Sequence, residues 1–334
     1  MKKILLALLL ISTGLFAQDL RTDISVHDPV MAKEGDTYYL FCTGMGISQW
    51  SSKDLTNWKR EEPVFSEAPK WAVEAIPTFK GHIWAPDISF YKGKYYLYYS
   101  VSAFGKNTSA IGLATNTTLN PSNPEYKWVD HGNVIQSFPG KTNWNAIDPN
   151  LITDNKGNPY LMFGSFWDGL KIVKLNADRL SIAENPDNLQ TIASRKVKSS
   201  ADNPPAVDDN PKDAGGNAIE APFVFKKGKY YYLFASTDYC CKGPKSTYKM
   251  IVGRSEKVTG PYLDKDGVSL AQAGGTLLLQ GDKDWHGVGH NAVYTFDNID
   301  YLIFHGYDAK DNGKSKLRIE KLGWEKGWPV VIQK

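Results

Sequence analysis

Five side chains able to move protons or hold a metal ion recur at long intervals through this 334-residue chain. They are Asp28, Asp87, Asp148, Glu220 and His290, separated by 59, 61, 72 and 70 residues. Grouped carboxylates are what general acid and base chemistry requires, and an imidazole can relay a proton or bind an ion. One Asp-Pro pair alone says little, because the acid is often turn punctuation before a strand. The repetition is what points to a site.

Each of the five stands at the head of the same local pattern. A short apolar run follows, then a polar or glycine turn, then a second apolar run. The third copy is typical: Asp148-Pro149-Asn150-Leu151-Ile152, the turn Asp154 to Pro159, then Tyr160-Leu161-Met162-Phe163. The second runs from Trp84-Ala85-Pro86-Asp87 through Lys92-Gly93-Lys94 to Tyr95-Tyr96-Leu97-Tyr98-Tyr99. Further strand-like stretches trail the hairpins, such as Ile111 to Thr115 and Met250 to Ser255. Four strands per repeat and a period of about 60–70 residues match the blades of a β-propeller. Helical periodicity is almost absent. The expected architecture is all-β, a five-bladed β-propeller over residues 18–334 as a single domain. A propeller brings the heads of its innermost strands to one mouth, so the five residues are expected to converge there.

Composition limits the partners. Hydrophobic residues make up 42% and charged residues 22%, so the chain can bury a core. Its net charge is +3, and loss of Lys2 and Lys3 with a leader leaves a near-neutral chain. No basic block invites nucleic acid or an anionic membrane. Residues 1–17 read as a signal peptide: Lys2-Lys3, an apolar run from Ile4 to Ile11, and a small-residue cut near Ala17. The mature protein is expected to start near Gln18, to be exported to the periplasm or outside the cell, and to carry no membrane span. Three cysteines cannot build a disulfide framework. Cys240 and Cys241 are adjacent and would need a strained ring to pair. Cys42 reads as a small buried apolar residue.

A set of motifs carries a more specific resemblance. His27-Asp28-Pro29, Trp84-Ala85-Pro86-Asp87, Asn145 to Pro149, Ser165-Phe166-Trp167, Glu220-Ala221-Pro222, Cys240-Cys241-Lys242-Gly243 and Gly287 to Asn291 resemble glycoside hydrolase family 43. Within it, they are most similar to the endo-1,5-α-L-arabinanases. The resemblance spans roughly Asp23 to Gln333. It implies a five-bladed propeller and hydrolysis of arabinan with inversion. It also implies Asp28 as general base, Glu220 as general acid, and Asp148 as the residue that tunes and holds the acid. An inverting carboxylate pair is expected to stand about 6.5–9.5 Å apart, leaving room for water.

By the same resemblance, the arabinan chain is contacted by Asp28, Trp84, Phe104, Gly105, Asn145, Ala146, Ile147, Asp148, Ser165, Phe166 and Trp167. His290 corresponds to the family's metal-binding histidine, which implies one calcium ion near it. A single imidazole is an unusual ligand for calcium, which prefers oxygen. His131, His286 and His305 lie in no comparable context. The polar stretch from Lys196 to Gly216 precedes the acid and reads as a solvated loop or an edge of the groove. Leu322 to Val330 matches a closing strand, with no further module. The protein is expected to act as a monomer. Two other readings remain open: an exo-acting α-L-arabinofuranosidase or β-xylosidase on the same fold, and a non-catalytic sugar-binding propeller.

Overall fold

In the computed structural model, the described residues are Leu20, 22–196 and 216–332. The leader 1–17 and most of the Lys196–Gly216 stretch lie outside them. The rest forms five antiparallel sheets in chain order, a five-bladed β-propeller as expected. Blade 1 holds Val30–Glu34, Thr37–Cys42, Ser48–Ser52 and Lys59–Glu61. Blade 2 holds His82–Tyr91, Lys94–Val101, Ser109–Asn116 and Val129–Ser137, with the short strand Gly44–Met45 added at its inner edge. Blade 3 runs through Asn150–Thr153, Pro159–Phe163, Leu170–Lys174 and Gln190–Ala193. Blade 4 runs through Ile219–Lys227, Tyr230–Thr237, Lys249–Ser255 and Thr276–Gln280. Blade 5 comprises Trp285–Phe296, Ile299–Asp308, Lys314–Glu325 and Trp328–Ile332, the last being the expected closing strand.

Local chemistry explains the hairpins. Lys92 and Gly93 both take positive φ (47° and 78°), as do Asp297 and Asn298 (51° and 64°). Two-residue turns of this hand match the twist of the strands they join. The second strand of each hairpin is apolar on both faces because it is packed between neighbouring blades. Leu40, Phe41, Leu97, Tyr99, Phe163, Phe234 and Phe304 are fully buried. Among the described residues there is one α-helix, Lys70–Ala75, which packs Trp71 toward Tyr99. Cys42 is buried and free, as expected.

Candidate active site

The heads of the inner strands share one backbone device. Asp28, Ala85, Asp148, Ala221 and His290 all take positive φ, between 41° and 58°. That conformation is unfavourable for residues other than glycine, and each is offset by a hydrogen bond to the preceding blade. Ala85 N–H donates to Thr43 Oγ1 (2.9 Å), Asp148 N–H to Ser100 Oγ (3.0 Å) and Ala221 N–H to Asp148 Oδ2 (3.1 Å). His290 N–H donates to Ser236 Oγ (2.8 Å), and Asp28 N–H to His305 Nδ1 (3.1 Å). The five bonds close a ring around the mouth and join blade 5 back to blade 1.

This ring corrects one expectation. The five chemically able residues are not five equivalent positions. Glu220 stands one residue before the positive-φ position, where blade 2 has Trp84; both pair with a serine, Ser236 and Ser100. Asp87 stands two residues after it, beyond a register shift in its strand. Its carboxylate points between blades, accepting from Asn150 Nδ2 (3.0 Å) and Leu151 N–H (2.8 Å). Burial pushes Asp87 up to about 6. It locks blade 2 to blade 3 and is not part of the mouth. His305, read as unremarkable in the sequence, is fully buried and accepts from the Asp28 main-chain N–H.

Asp28 is surrounded by donors. Oδ1 lies 2.8 Å from His27 Nδ1 and 2.9 Å from His290 Nδ1. Oδ2 accepts from Thr43 Oγ1 at 2.5 Å. The Thr43 oxygen already accepts from Ala85, so its proton points to Asp28. Burial alone would push the Asp28 carboxyl up, but His27 and His290 outweigh it and hold it well below the ordinary carboxylate value. His290 responds in kind. Burial opposes its charge, yet Asp28, Asp148 and Glu220 together raise it to about 9.

The opposite side is built from neutral donors. Glu220 Oε1 accepts from Tyr248 Oη (2.7 Å) and Oε2 from Ser165 Oγ (2.8 Å). Asp148 is buried beside it and holds the N–H of Ala221, the residue next to Glu220. Burial is the largest influence on Asp148 and pushes it up; Glu220 and Asp28 add to this, His290 opposes, and the outcome is about 8. Asp148 therefore keeps its proton at neutral pH, with the Glu220 charge as one of the causes. This differs from the expected picture of an ionised Asp148: burial leaves the proton on Asp148 itself. Tyr248 carried no sequence signal, since its link to Glu220 depends on the fold.

The family model for glycosyl hydrolases family 43 matches residues 22–329. The chain belongs to glycoside hydrolase family 43. It is 53% identical over 312 residues to the extracellular exo-α-(1→5)-L-arabinofuranosidase ArbA of Cellvibrio japonicus, covering 93% of this chain and 87% of that one. It is 43% identical over 308 residues to the extracellular endo-α-(1→5)-L-arabinanase 1 of Bacillus subtilis, covering 91% and 87%. The structure of the Cellvibrio cellulosa α-L-arabinanase complexed with arabinohexaose superposes with a TM-score of 0.86 at 52% identity, over 92% of this chain and 96% of that one.

Within this family 43 mouth, the expected sugar contacts divide. Phe104 is 79% exposed beside Gly105, whose φ of 71° makes the turn that presents it. Trp84 is half-buried, with its Nε1 donating to His82 Nδ1 at 2.9 Å. Phe166 lies 6.1 Å, ring to ring, from the exposed Tyr239, which extends the aromatic rim; nothing in the sequence singled Tyr239 out. Ser165 serves Glu220 directly. Trp167 and Asn145 are buried, and Trp167 Nε1 and Asn145 Oδ1 have no hydrogen-bond partner among the described residues. Ile147 is buried, and its carbonyl accepts from Gly164 N–H. Ala146 is 0% exposed in the apolar cluster with Trp144 and Phe163, so its side chain faces the core. Cys240 and Cys241, whose pairing adjacency left open, are joined as a disulfide.

The calcium expectation meets a demanding donor set. Calcium takes about six to eight oxygens. Among the described residues, the gathered ligand groups are His27–Cys240–Cys241 and His27–Asp28–His305, and neither includes His290. The carboxylate nearest His290 Nδ1 is Asp28, and His290 itself carries a proton below about pH 9. The adjacent Asn291 buries both Oδ1 and Nδ2 without partners among the described residues. These residues fit an ion only if water fills most of its shell and the ion displaces the His290 proton.

Proposed function

We propose that this family 43 enzyme hydrolyses the α-1,5-L-arabinofuranosidic bonds of arabinan, cutting within the chain and inverting the anomeric centre. One observation carries the reading. The mouth joins an Asp28 carboxylate held ionised beside the protonated His290 to a buried Asp148 that keeps a proton beside Glu220, and an inverting hydrolase needs both states at once.

Glu220, with the proton held by its pair with Asp148, protonates the leaving glycosidic oxygen. Asp28 takes a proton from the water that attacks the opposite face of the sugar ring. Three donors occupy Asp28, and the remaining lone pair on Oδ2 is the place for that water. At the end, Asp28 carries the proton and Glu220 is ionised; exchange with solvent resets both. Tyr248 and Ser165 fix the rotamer of Glu220. Trp84 and Phe104 offer ring faces to the sugar, and Asn145 Oδ1 offers an unused acceptor.

A hydrated calcium ion at His290 belongs to the same proposal. Bound there, it would supply positive charge beside the three carboxylates in place of the His290 proton. A chelator should then lower the melting temperature, and an unchanged value argues against the ion. Export also fits, through a leader cut near Ala17 and in line with relatives named extracellular. We expect a monomer.

The exo-acting reading has one observation in its favour, the name of the 53% identical relative. Chromatography of products from linear arabinan separates the two. Mixed oligomers early in the reaction support internal cutting, and release of a single short product from the start supports exo action. No release from any arabinan would overturn the hydrolase reading altogether.

A further inference from the structure

Tyr307 is buried in blade 5 and touches neither acid, yet the proton positions around it are fixed by the hydrogen bonds. The Asp28 N–H points at His305 Nδ1, 3.1 Å away. A backbone N–H can only donate, so Nδ1 accepts and the His305 proton sits on Nε2. That nitrogen lies 3.3 Å from Tyr307 Oη and donates to it. The Cys241 N–H donates to the same oxygen at 2.7 Å, and the Ser246 hydroxyl adds a further contact. Both phenol lone pairs are thereby filled. The single Tyr307 proton is left for His27 Nε2, 2.8 Å away, with Cys241 Sγ much farther at 4.0 Å and the Ser246 hydroxyl placed as a donor that holds the phenol down. His27 Nε2 therefore accepts, its proton is on Nδ1, and Nδ1 faces Asp28 Oδ1 at 2.8 Å.

We propose that Tyr307 is a positioning residue for the general base. It fixes the tautomer of His27, so that His27 presents Nδ1–H to Asp28 and holds that carboxylate toward the attacking water. The chain of donors starts at two backbone amides, Asp28 and Cys241, which cannot reverse. His27 also stacks on His305 with ring centroids 3.9 Å apart, so the two rings are held face to face. Burial keeps the His305 ring well below its ordinary value and hence neutral, as the accounting requires. This proposal rests on the reading of Asp28 as base.

The test is ¹⁵N NMR of histidine-labelled enzyme at neutral pH, with the His27 signals identified by their loss in His27→Gln. The expected result is a neutral ring with its proton on Nδ1. In Tyr307→Phe that signature should disappear, and kcat on arabino-oligosaccharides should fall about tenfold with KM little changed. A wild-type His27 that is Nε2-protonated or doubly protonated overturns the proposal, whether or not the variant folds. So does a Tyr307→Phe enzyme that keeps the Nδ1–H signature, or one that loses it at full kcat. Failure of the underlying reading looks different: an active Asp28→Ala enzyme removes the base itself, whatever the His27 spectrum.

Discussion

The two sides of the mouth use the same functional group and make opposite things of it. Asp28 faces two imidazoles and a threonine hydroxyl, and it is held ionised even though it is buried. Asp148 and Glu220 face each other, a tyrosine, a serine and a main-chain amide, and Asp148 is pushed up to about 8. Burial acts in the same direction on Asp28 and Asp148. The difference comes from which partners carry positive charge, and so under the proposed mechanism base and acid are set by the neighbours rather than by the carboxylates.

Removing either reacting group breaks the comparison most severely. Asp28→Ala and Glu220→Ala should each cost about 10³-fold or more in turnover of arabinan, measured by reducing-sugar release. Wild-type-like turnover in either variant removes that residue from the mechanism. Asp148→Asn should cost about 10²-fold and also shift the pH profile. The wild-type acid side loses its proton as pH rises past about 8. Asp148→Asn removes the carboxyl that titrates near 8, so the basic limb should move away from that pH. An unmoved limb would show that Asp148 does not tune the acid.

Smaller effects sharpen the contrast. Tyr248→Phe deletes one donor to Glu220 and should lower kcat about tenfold with the fold intact. Asp87→Ala tests a carboxylate that the fold keeps out of the mouth. It should leave kcat within about twofold of wild type while destabilising the protein by about 1–3 kcal/mol, because the Leu151 N–H loses its partner. Its pH signature has a defined sign. Asp87 is raised from 3.8 to about 6, so between these values the native state keeps a proton that the unfolded chain has released. Stability contributed by Asp87 therefore falls as pH rises through that window, and Asp87→Ala should flatten the slope of melting temperature there. A large loss of kcat would return Asp87 to the site.

Much of this was legible before the fold. The hairpins announce themselves through period-two and apolar runs with turn residues between them, and five such units require a ring. That Asp28, Asp148 and Glu220 gather at one mouth was legible because each sits in a motif beside Pro or Ala-Pro. Their alignment was not legible. Register shifts between Trp84 and Asp87 and between Glu220 and Phe223 move a side chain by one or two places, which decides between mouth and blade interface. Nor could spacing reveal His305 or Tyr307. Asp28 and His305 are 277 residues apart and meet only because blade 5 closes on blade 1. Spacing also could not show that Ala146, whose motif is at the mouth, turns its side chain into the core.

The central claim is that Glu220 protonates the leaving group while Asp28 activates water. It is tested most directly by comparing Asp28→Ala and Glu220→Ala on arabinan and on a nitrophenyl α-L-arabinofuranoside or arabino-oligoside, whose leaving group departs without a proton. The account predicts that Glu220→Ala, inactive on arabinan, recovers most of its rate of glycosidic bond cleavage on the nitrophenyl substrate, whereas Asp28→Ala remains inactive on both. Recovery by Asp28→Ala and not by Glu220→Ala would contradict it.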